Sequence, residues 1–140
     1  DATSWNSTFP SNTVLSLGTQ SIVNANAATY IAYFFASRAG VSKVFSYTGN
    51  GSSQTINCGF STGARFVLIK RTDSTGAWIM WDTARGIASG NDPHLSFTAS
   101  NVEVTTDDSI DPDTSGFIVN QVAATNINIT SATYIGLAFA

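Results

Sequence analysis

Arg65-Phe66-Val67-Leu68-Ile69-Lys70-Arg71, Thr72-Asp73-Ser74-Thr75-Gly76 and Ala77-Trp78-Ile79-Met80-Trp81-Asp82 follow one another without a break. Two apolar, β-prone runs flank five turn residues that end in glycine, which is the pattern of a β-hairpin. Both runs are almost continuously apolar, so the hairpin is expected at the centre of a packed two-layer body. Trp78 and Trp81 stand three residues apart and therefore face opposite sides of their strand. One of them is expected inside and the other on the surface. Lys70 or Arg71 can pair across the hairpin with Asp82 or close the turn with Asp73, and either pair is worth about 0.2–1 kcal/mol.

Outward from the hairpin the same texture continues. Strands are expected at residues 13–17, 29–36, 43–48, 54–60, 94–98, 101–105, 116–121 and 132–140. Gly49-Asn50-Gly51 reads as a tight turn, since glycine and asparagine tolerate positive φ. Residues 83–93, with two glycines and a proline, read as a loop, and residues 106–113 as an acidic loop. No segment longer than ten residues keeps a 3.6-residue period. Strands recurring about every ten residues imply an all-β fold, an antiparallel β-sandwich or a jelly roll.

The chain also ends twice. Ala28-Thr29-Tyr30-Ile31-Ala32-Tyr33-Phe34-Phe35-Ala36 returns as Ala132-Thr133-Tyr134-Ile135-Gly136-Leu137-Ala138-Phe139-Ala140, a spacing of 104 residues. Val23-Asn24 lines up with Ile127-Asn128 at the same spacing. A fixed, domain-sized period marks an array of modules. Residues 1–36 then read as the C-terminal part of a preceding module, or as lead-in strands, and residues 37–140 as one complete β-sandwich module. The chain opens on Asp1 and not on methionine, the start expected of a fragment or a processed product.

Composition narrows the function classes. The 140 residues are 43% hydrophobic but only 11% charged, against about 25% in ordinary soluble domains. Ser, Thr, Asn and Gly replace the missing Lys, Glu and Arg, a mixture that favours short strands joined by turns. A surface of hydroxyls and amides suits an extracellular protein. Net charge is −3 and no basic stripe occurs, which argues against a nucleic-acid partner. The longest apolar stretch, residues 30–36, is far shorter than the roughly 18 residues of a membrane span.

Candidate chemistry is sparse. Cys58 is the single cysteine, within the apolar Ile56-Asn57-Cys58-Gly59-Phe60, and reads as a buried small hydrophobe. His94, the single histidine, follows Pro93 and reads as structural or surface. Asp107, Asp108, Asp111 and Asp113 bring carboxylates close in sequence, and calcium takes six to eight oxygens. Their spacing does not fit an EF-hand, whose distal glutamate is missing, so a solvated turn is expected and no metal. Asp82 and Asp92 flank a flexible loop after the hairpin, but glycan hydrolysis needs two acids facing across about 5–10 Å, and nothing in the spacing shows that. No Gly-x-Ser-x-Gly elbow accompanies His94. Neither catalytic residues nor a cofactor are expected. Three Asn-x-Ser/Thr sequons, at Asn6, Asn50 and Asn128, are what chance gives in so Ser- and Thr-rich a chain. Trp5, Tyr33, Tyr47, Trp78 and Trp81 are aromatic residues suited to stacking on a sugar or anchoring a protein. Trp78, Trp81, Asp82, Arg85, Asp92, His94, Asp108 and Asp111 are the residues expected to contact a receptor or partner.

Phe45-Ser46-Tyr47-Thr48-Gly49-Asn50-Gly51, then Phe66-Val67-Leu68-Ile69-Lys70-Arg71-Thr72-Asp73-Ser74-Thr75-Gly76, then Trp81-Asp82-Thr83-Ala84-Arg85, are similar to a module of marine and cyanobacterial phage virion proteins. The ending, Ser115-Gly116-Phe117 through Ala132-Thr133-Tyr134-Ile135 to Ala138-Phe139-Ala140, fits the same pattern. So does the lead-in from Trp5-Asn6-Ser7-Thr8 to Tyr30-Ile31-Ala32-Tyr33, and the resemblance covers nearly the whole chain. The usual context of that module is a tail fibre or related structural protein. The resemblance supplies no catalytic residues. It implies a virion location, on the tail or the capsid exterior, with other phage virion proteins as partners. The first expectation is a tail-associated domain that contributes to host attachment, binding a host surface glycan or protein. The second is a capsid decoration protein that stabilises the shell, and the third a glycan-degrading spike. Fibres are commonly trimeric, so a homotrimer is implied, although no heptad or collagen-like signal occurs.

Overall fold

A computed structural model describes residues 2–11 and 13–140 of the chain. The chain forms two compact units, Asp1–Phe34 and Phe35–Ala140.

The first unit holds α1 (Ala2–Trp5) and α2 (Ser21–Asn24), each a single turn. The Gly18 and Gln20 amides donate to the Ser4 and Thr3 carbonyls, both at 2.9 Å. The strands expected at 13–17 and 29–36 do not form, since neither run has a sheet neighbour among the described residues. A lone apolar run leaves its amides to water and becomes a strand only when a neighbour takes them.

The second unit is built from eight strands: β1 (Ser42–Thr48), β2 (Gln54–Asn57), β3 (Phe66–Arg71), β4 (Trp78–Asp82), β5 (His94–Ser96), β6 (Ile110–Asp113), β7 (Gly116–Val119) and β8 (Thr133–Phe139). They form a five-stranded sheet, β1-β8-β3-β4-β5, and a three-stranded sheet, β2-β7-β6. Every pairing is antiparallel. The β3–β4 hairpin pairs Phe66 with Asp82 and Lys70 with Trp78. Arg71 closes its turn on Asp73 with two 2.9 Å bonds, while the Lys70 ammonium donates to the Gly76 carbonyl.

The inner faces of the two sheets share one core. Val67 and Ile69 of β3, Trp81 of β4, Ile110 of β6, Phe117 and Val119 of β7 and Tyr134 of β8 are fully buried there. Phe45 of β1 meets Phe117 across the layers, with ring centroids 5.5 Å apart. Each such large side chain contributes about 1.5–3 kcal/mol. The all-β antiparallel sandwich is thus the observed fold. Trp81 faces the core, while Trp78 is half-buried on the opposite face, as their spacing requires. Cys58 is buried, and burial pushes its thiol up to about 11.

Three local expectations need correction. Residues 101–105 form no strand, and only Val104 bridges to His94. The expected strand at 54–60 stops at Asn57, because Gly59 turns the chain at φ 71°. The acidic stretch is not all loop, since Ile110–Asp113 is strand β6. Pro112 cannot donate to a ladder and is tolerated because β6 is an edge strand. Ile110, wholly buried, anchors that strand.

Candidate functional site

Seven of the eight predicted contact residues gather around the end of β4 and the segments that come after it. Trp81 and Asp82 close β4, residues 83–93 leave it, His94 opens β5, and Asp108 and Asp111 flank the start of β6. Trp78 stands at the other end of β4, where its carbonyl accepts from the Phe97 amide at 2.8 Å.

Asp92 organises this end. It is 0% exposed, and its carboxylate accepts three backbone amides. Oδ1 takes Ala88 N–H at 3.0 Å, while Oδ2 takes Ser109 N–H at 3.2 Å and Ile110 N–H at 3.1 Å. The Asp92 amide itself donates to the Asp107 carbonyl at 2.7 Å. One side chain therefore fastens the 83–93 loop to the strand entry at 109–110. Burial pushes its carboxyl up to about 6, against the opposing pull of the three amides, and the nearby Asp108 charge adds to the rise.

His94 lies under the same loops. Its ring packs on Trp81 at 5.5 Å between centroids, and Nε2 is 4.0 Å from Asp107 Oδ2. The backbones of His94 and Val104 exchange hydrogen bonds at 2.9 and 3.1 Å. Trp81, Asp92 and His94 are all buried, so they support the loops from beneath and are not placed to touch a partner.

The outer rim is made by the others. Arg85 is exposed and holds two acids, Asp82 within the turn and Glu103 at 2.9 Å. Asp82 Oδ1 also accepts the Arg85 amide at 2.9 Å, which closes the turn after β4. Asp108 and Asp111 share Asn120, whose Nδ2 donates to Asp108 Oδ1 at 2.9 Å and Asp111 Oδ2 at 2.8 Å. Four buried polar atoms here lack a hydrogen-bond partner among the described residues: Trp81 Nε1, Asp107 Oδ2, Ser109 Oγ and Asp111 Oδ1. Among the described residues, no three His, Cys, Asp or Glu side chains converge as the ligands of a metal would.

The opposite end of the sandwich has a small cleft of about 140 Å³, bordered by Arg71, Gly76, Asn126 and Tyr134. That is well below the roughly 300–1,000 Å³ of small-molecule pockets. There the Arg71 guanidinium, assisted by the Thr133 amide, holds the Asp73 carboxyl well below the usual carboxylate range.

Sequence reasoning missed the residues that set the loops' shape. Asn128 is fully buried. Its Oδ1 accepts from the Asn50 amide at 3.0 Å and from Gln54 Nε2 at 2.7 Å, and its Nδ2 donates to the Ser52 and Val119 carbonyls. This sequon asparagine is thus a structural hub. Tyr47 and Tyr134 stack at 4.8 Å and hold the 126–129 turn through their hydroxyls, which donate to the Ile127 and Asn126 carbonyls. Burial raises both phenols. The signal that pointed to two of these residues was the repeat, which returns Asn24 as Asn128 and Tyr30 as Tyr134.

No helix among the described residues is long and apolar enough to cross a membrane. No curated protein and no solved structure matches the chain. A protein-family match spans residues 1–140, the whole length given, and the chain belongs to the family described as a domain of unknown function, DUF7483.

Proposed function

We propose that this chain is a structural module of a phage virion protein, a tail-fibre or tail-associated domain whose loops contribute to host attachment. The location comes from the resemblance to phage virion modules. The observation that carries the attachment role is the Asp92 clamp. A fully buried carboxylate fixes the exposed 83–93 loop to the 109–110 backbone. A recognition loop held in one shape loses little entropy on binding. The exposed rim then presents Arg85, Ser89, Asn91, Glu103 and Asp108, polar groups suited to a glycan or a polar protein surface. Other virion proteins, and further copies of the same chain in a trimeric fibre, are the partners of the remaining surface.

Tracing the chain into a cryo-EM map of the intact particle tests the location. Density at the tail or fibre tips is expected. Density repeated over the capsid lattice would instead make the chain a decoration protein and end the attachment reading. Attachment is tested on host cells, where Arg85→Ala should weaken binding at least tenfold with the fold intact. Unchanged binding by an Arg85→Ala, Asp108→Asn double variant would remove the rim from the mechanism.

A further inference from the structure

The repeat is one of local geometry as well as of letters. The Ile129 amide donates to Tyr134 Oη at 3.0 Å, and 104 residues earlier the Ala25 amide donates to Tyr30 Oη at 2.9 Å. The Ala132 amide donates to the Ile129 carbonyl at 3.0 Å, and that of Ala28 to the Ala25 carbonyl at 3.2 Å. Ser131 has φ 66° and Ala27 φ 60°, a region that residues other than glycine seldom enter. Tyr134 Oη donates to the Asn126 carbonyl at 2.7 Å, and Tyr30 Oη to the Ser21 carbonyl at 2.7 Å, one residue before the position that the 104-residue offset gives. The turn that launches β8 is therefore built a second time in front of residues 29–35.

The two turns lead into different surroundings. β8 lies between β1 and β3, paired on both edges, and Tyr134 is 1% exposed. Residues 29–35 have no sheet neighbour among the described residues, and Tyr30 is 48%, Ile31 83% and Tyr33 82% exposed. Ten of the fifteen exposed large hydrophobic side chains among the described residues lie between Trp5 and Phe35. Trp5, Phe9, Leu17, Ile22, Ile31 and Tyr33 line an open apolar groove of about 890 Å³ in the first unit. At the same offset Val14 and Leu15 stand where β7 has Ile118 and Val119. An apolar run with two unpaired edges is a template for strand addition.

We propose that residues 29–35 are the eighth strand of another module of this fold, and that the β1 and β3 counterparts of that module precede it in the same polypeptide. They close on residues 29–35 from both sides and cover the apolar groove. The slot is that of a related module, not of an identical copy. Ala32 stands where β8 has Gly136. A Cβ at Gly136 would lie 2.3 Å from the Phe45 ring and 2.5 Å from the Leu68 carbonyl oxygen. Residues 29–35 therefore do not fit between β1 and β3 of this chain. They need a slot that accepts a methyl group at Ala32 and also the larger Tyr33 and Phe34, which stand where β8 has Leu137 and the fully buried Ala138.

The test extends the full chain at its N-terminus. Residues 37–104 are fused directly ahead of Asp1, which restores the 104-residue register, and Ala32→Gly, Tyr33→Leu and Phe34→Ala together fit the strand to the slot that this module supplies. A fusion carrying two identical copies of residues 37–140 serves as the folding reference. Hydrogen exchange is read at amides 30–35 and 134–139. In the original chain amides 30–35 should exchange with little protection. In the extended triple variant their exchange should slow at least a hundredfold, towards the rates of 134–139, and with Ala32, Tyr33 and Phe34 retained the slowing should be smaller. If the reference fusion is protected in both modules while 30–35 of the extended triple variant stays unprotected, the proposal is overturned. It is equally overturned if 30–35 of the original chain becomes protected as concentration rises, because a second copy would then be the occupant.

Discussion

Replacing Asn128 tests whether the loops of the module rest on one buried amide. The side chain is fully buried and gathers three segments of chain: Asn50 and Ser52 of the turn after β1, Gln54 of β2, and Val119 of β7. Asn128→Ala deletes both ends of the amide. It removes the acceptor of the Asn50 N–H and a donor to the carbonyl of the buried Val119, and a buried polar group left without its partner costs about 1–3 kcal/mol. The expected loss is about 2–4 kcal/mol, a large part of the roughly 5–15 kcal/mol that holds a domain together. Asn128→Asp keeps the shape and reverses one end, so that an oxygen faces the Ser52 and Val119 carbonyls where Nδ2 donated. The acid relieves that repulsion by holding a proton, which raises its folded-state pKa above the roughly 3.9 of an unfolded aspartate. A raised carboxyl pKa means that the folded state binds the proton more tightly than the unfolded one. The Asp variant should therefore approach Asn128→Ala or fall below it at pH 7, and recover relative to wild type as pH falls towards 4. Urea unfolding followed by tryptophan fluorescence at pH 7, 5.5 and 4.5 reads this directly, with unchanged m-values as the check that two-state behaviour holds. If Asn128→Ala lies within about 0.5 kcal/mol of wild type, the worth of one weak bond, or the Asp variant shows no recovery, Asn128 is not the hub described.

Asp92, with its carboxyl near 6 in the folded state against about 3.9 unfolded, should make the module more stable as pH falls from 7 towards 4, and Asp92→Asn should flatten that slope in the same urea series. Asp92→Ala should in addition release amides 88, 109 and 110 to faster hydrogen exchange while β3 and β8 keep their protection. Gly136→Ala should cost about 1–3 kcal/mol by overpacking, with partial recovery in a Phe45→Leu background, since the Phe45 ring can be trimmed whereas the Leu68 carbonyl cannot. Cys58, buried with a thiol near 11, should react with a thiol reagent at pH 7.5 only as fast as the module opens, and addition of urea should accelerate labelling in step with unfolding.

The hairpin was legible because its signals agree at every level. Two apolar runs, a turn cluster and an arginine next to an aspartate each point to the same pairing, and Phe66 to Arg71 against Trp78 to Asp82 is where the structure places it. The position of β8 was not legible. Its residues read as a closing strand, but nothing local says that the last strand in sequence inserts between the first and the third. Order within a sheet depends on which long-range pairs bury the most surface, and an antiparallel pattern leaves that open. The site divides in the same way. Asp82 and Arg85 were visible because they are three apart in a turn. Asp92 was visible as an acid but not as a clamp, since its partners are the amides of residues 88, 109 and 110, and backbone amides carry no sequence signal. Ile110–Asp113 was hidden by its own composition: two aspartates and a proline argue against a strand, and only an edge position with one buried isoleucine reverses the argument.

The repeated nonapeptide makes the same point within one molecule. Ala28 to Tyr30 and Ala132 to Tyr134 begin with the same three residues, after turns closed by the same tyrosine bond. Yet Thr133–Phe139 is a central strand and residues 29–35 join no sheet among the described residues. Intrinsic preference cannot separate them, because the letters are nearly shared. What separates them is supply. β8 has unpaired N–H and C=O groups of β1 and β3 on either side and an apolar layer beneath, so that ordering its backbone, at about 1–2 kcal/mol per residue, is offset by hydrogen bonds and buried surface. Residues 29–35 carry at least as much apolar surface, with Tyr33 and Phe34 where β8 has Leu137 and Ala138, and so have as much to gain once neighbours are present. Strand propensity here is a capacity that the surrounding sheet either uses or leaves unused. An exposed segment that duplicates a buried one is therefore better explained by a missing neighbour than by a weak preference for strand. Protection of amides 30–35 on adding β1 to β5 ahead of them decides between the two.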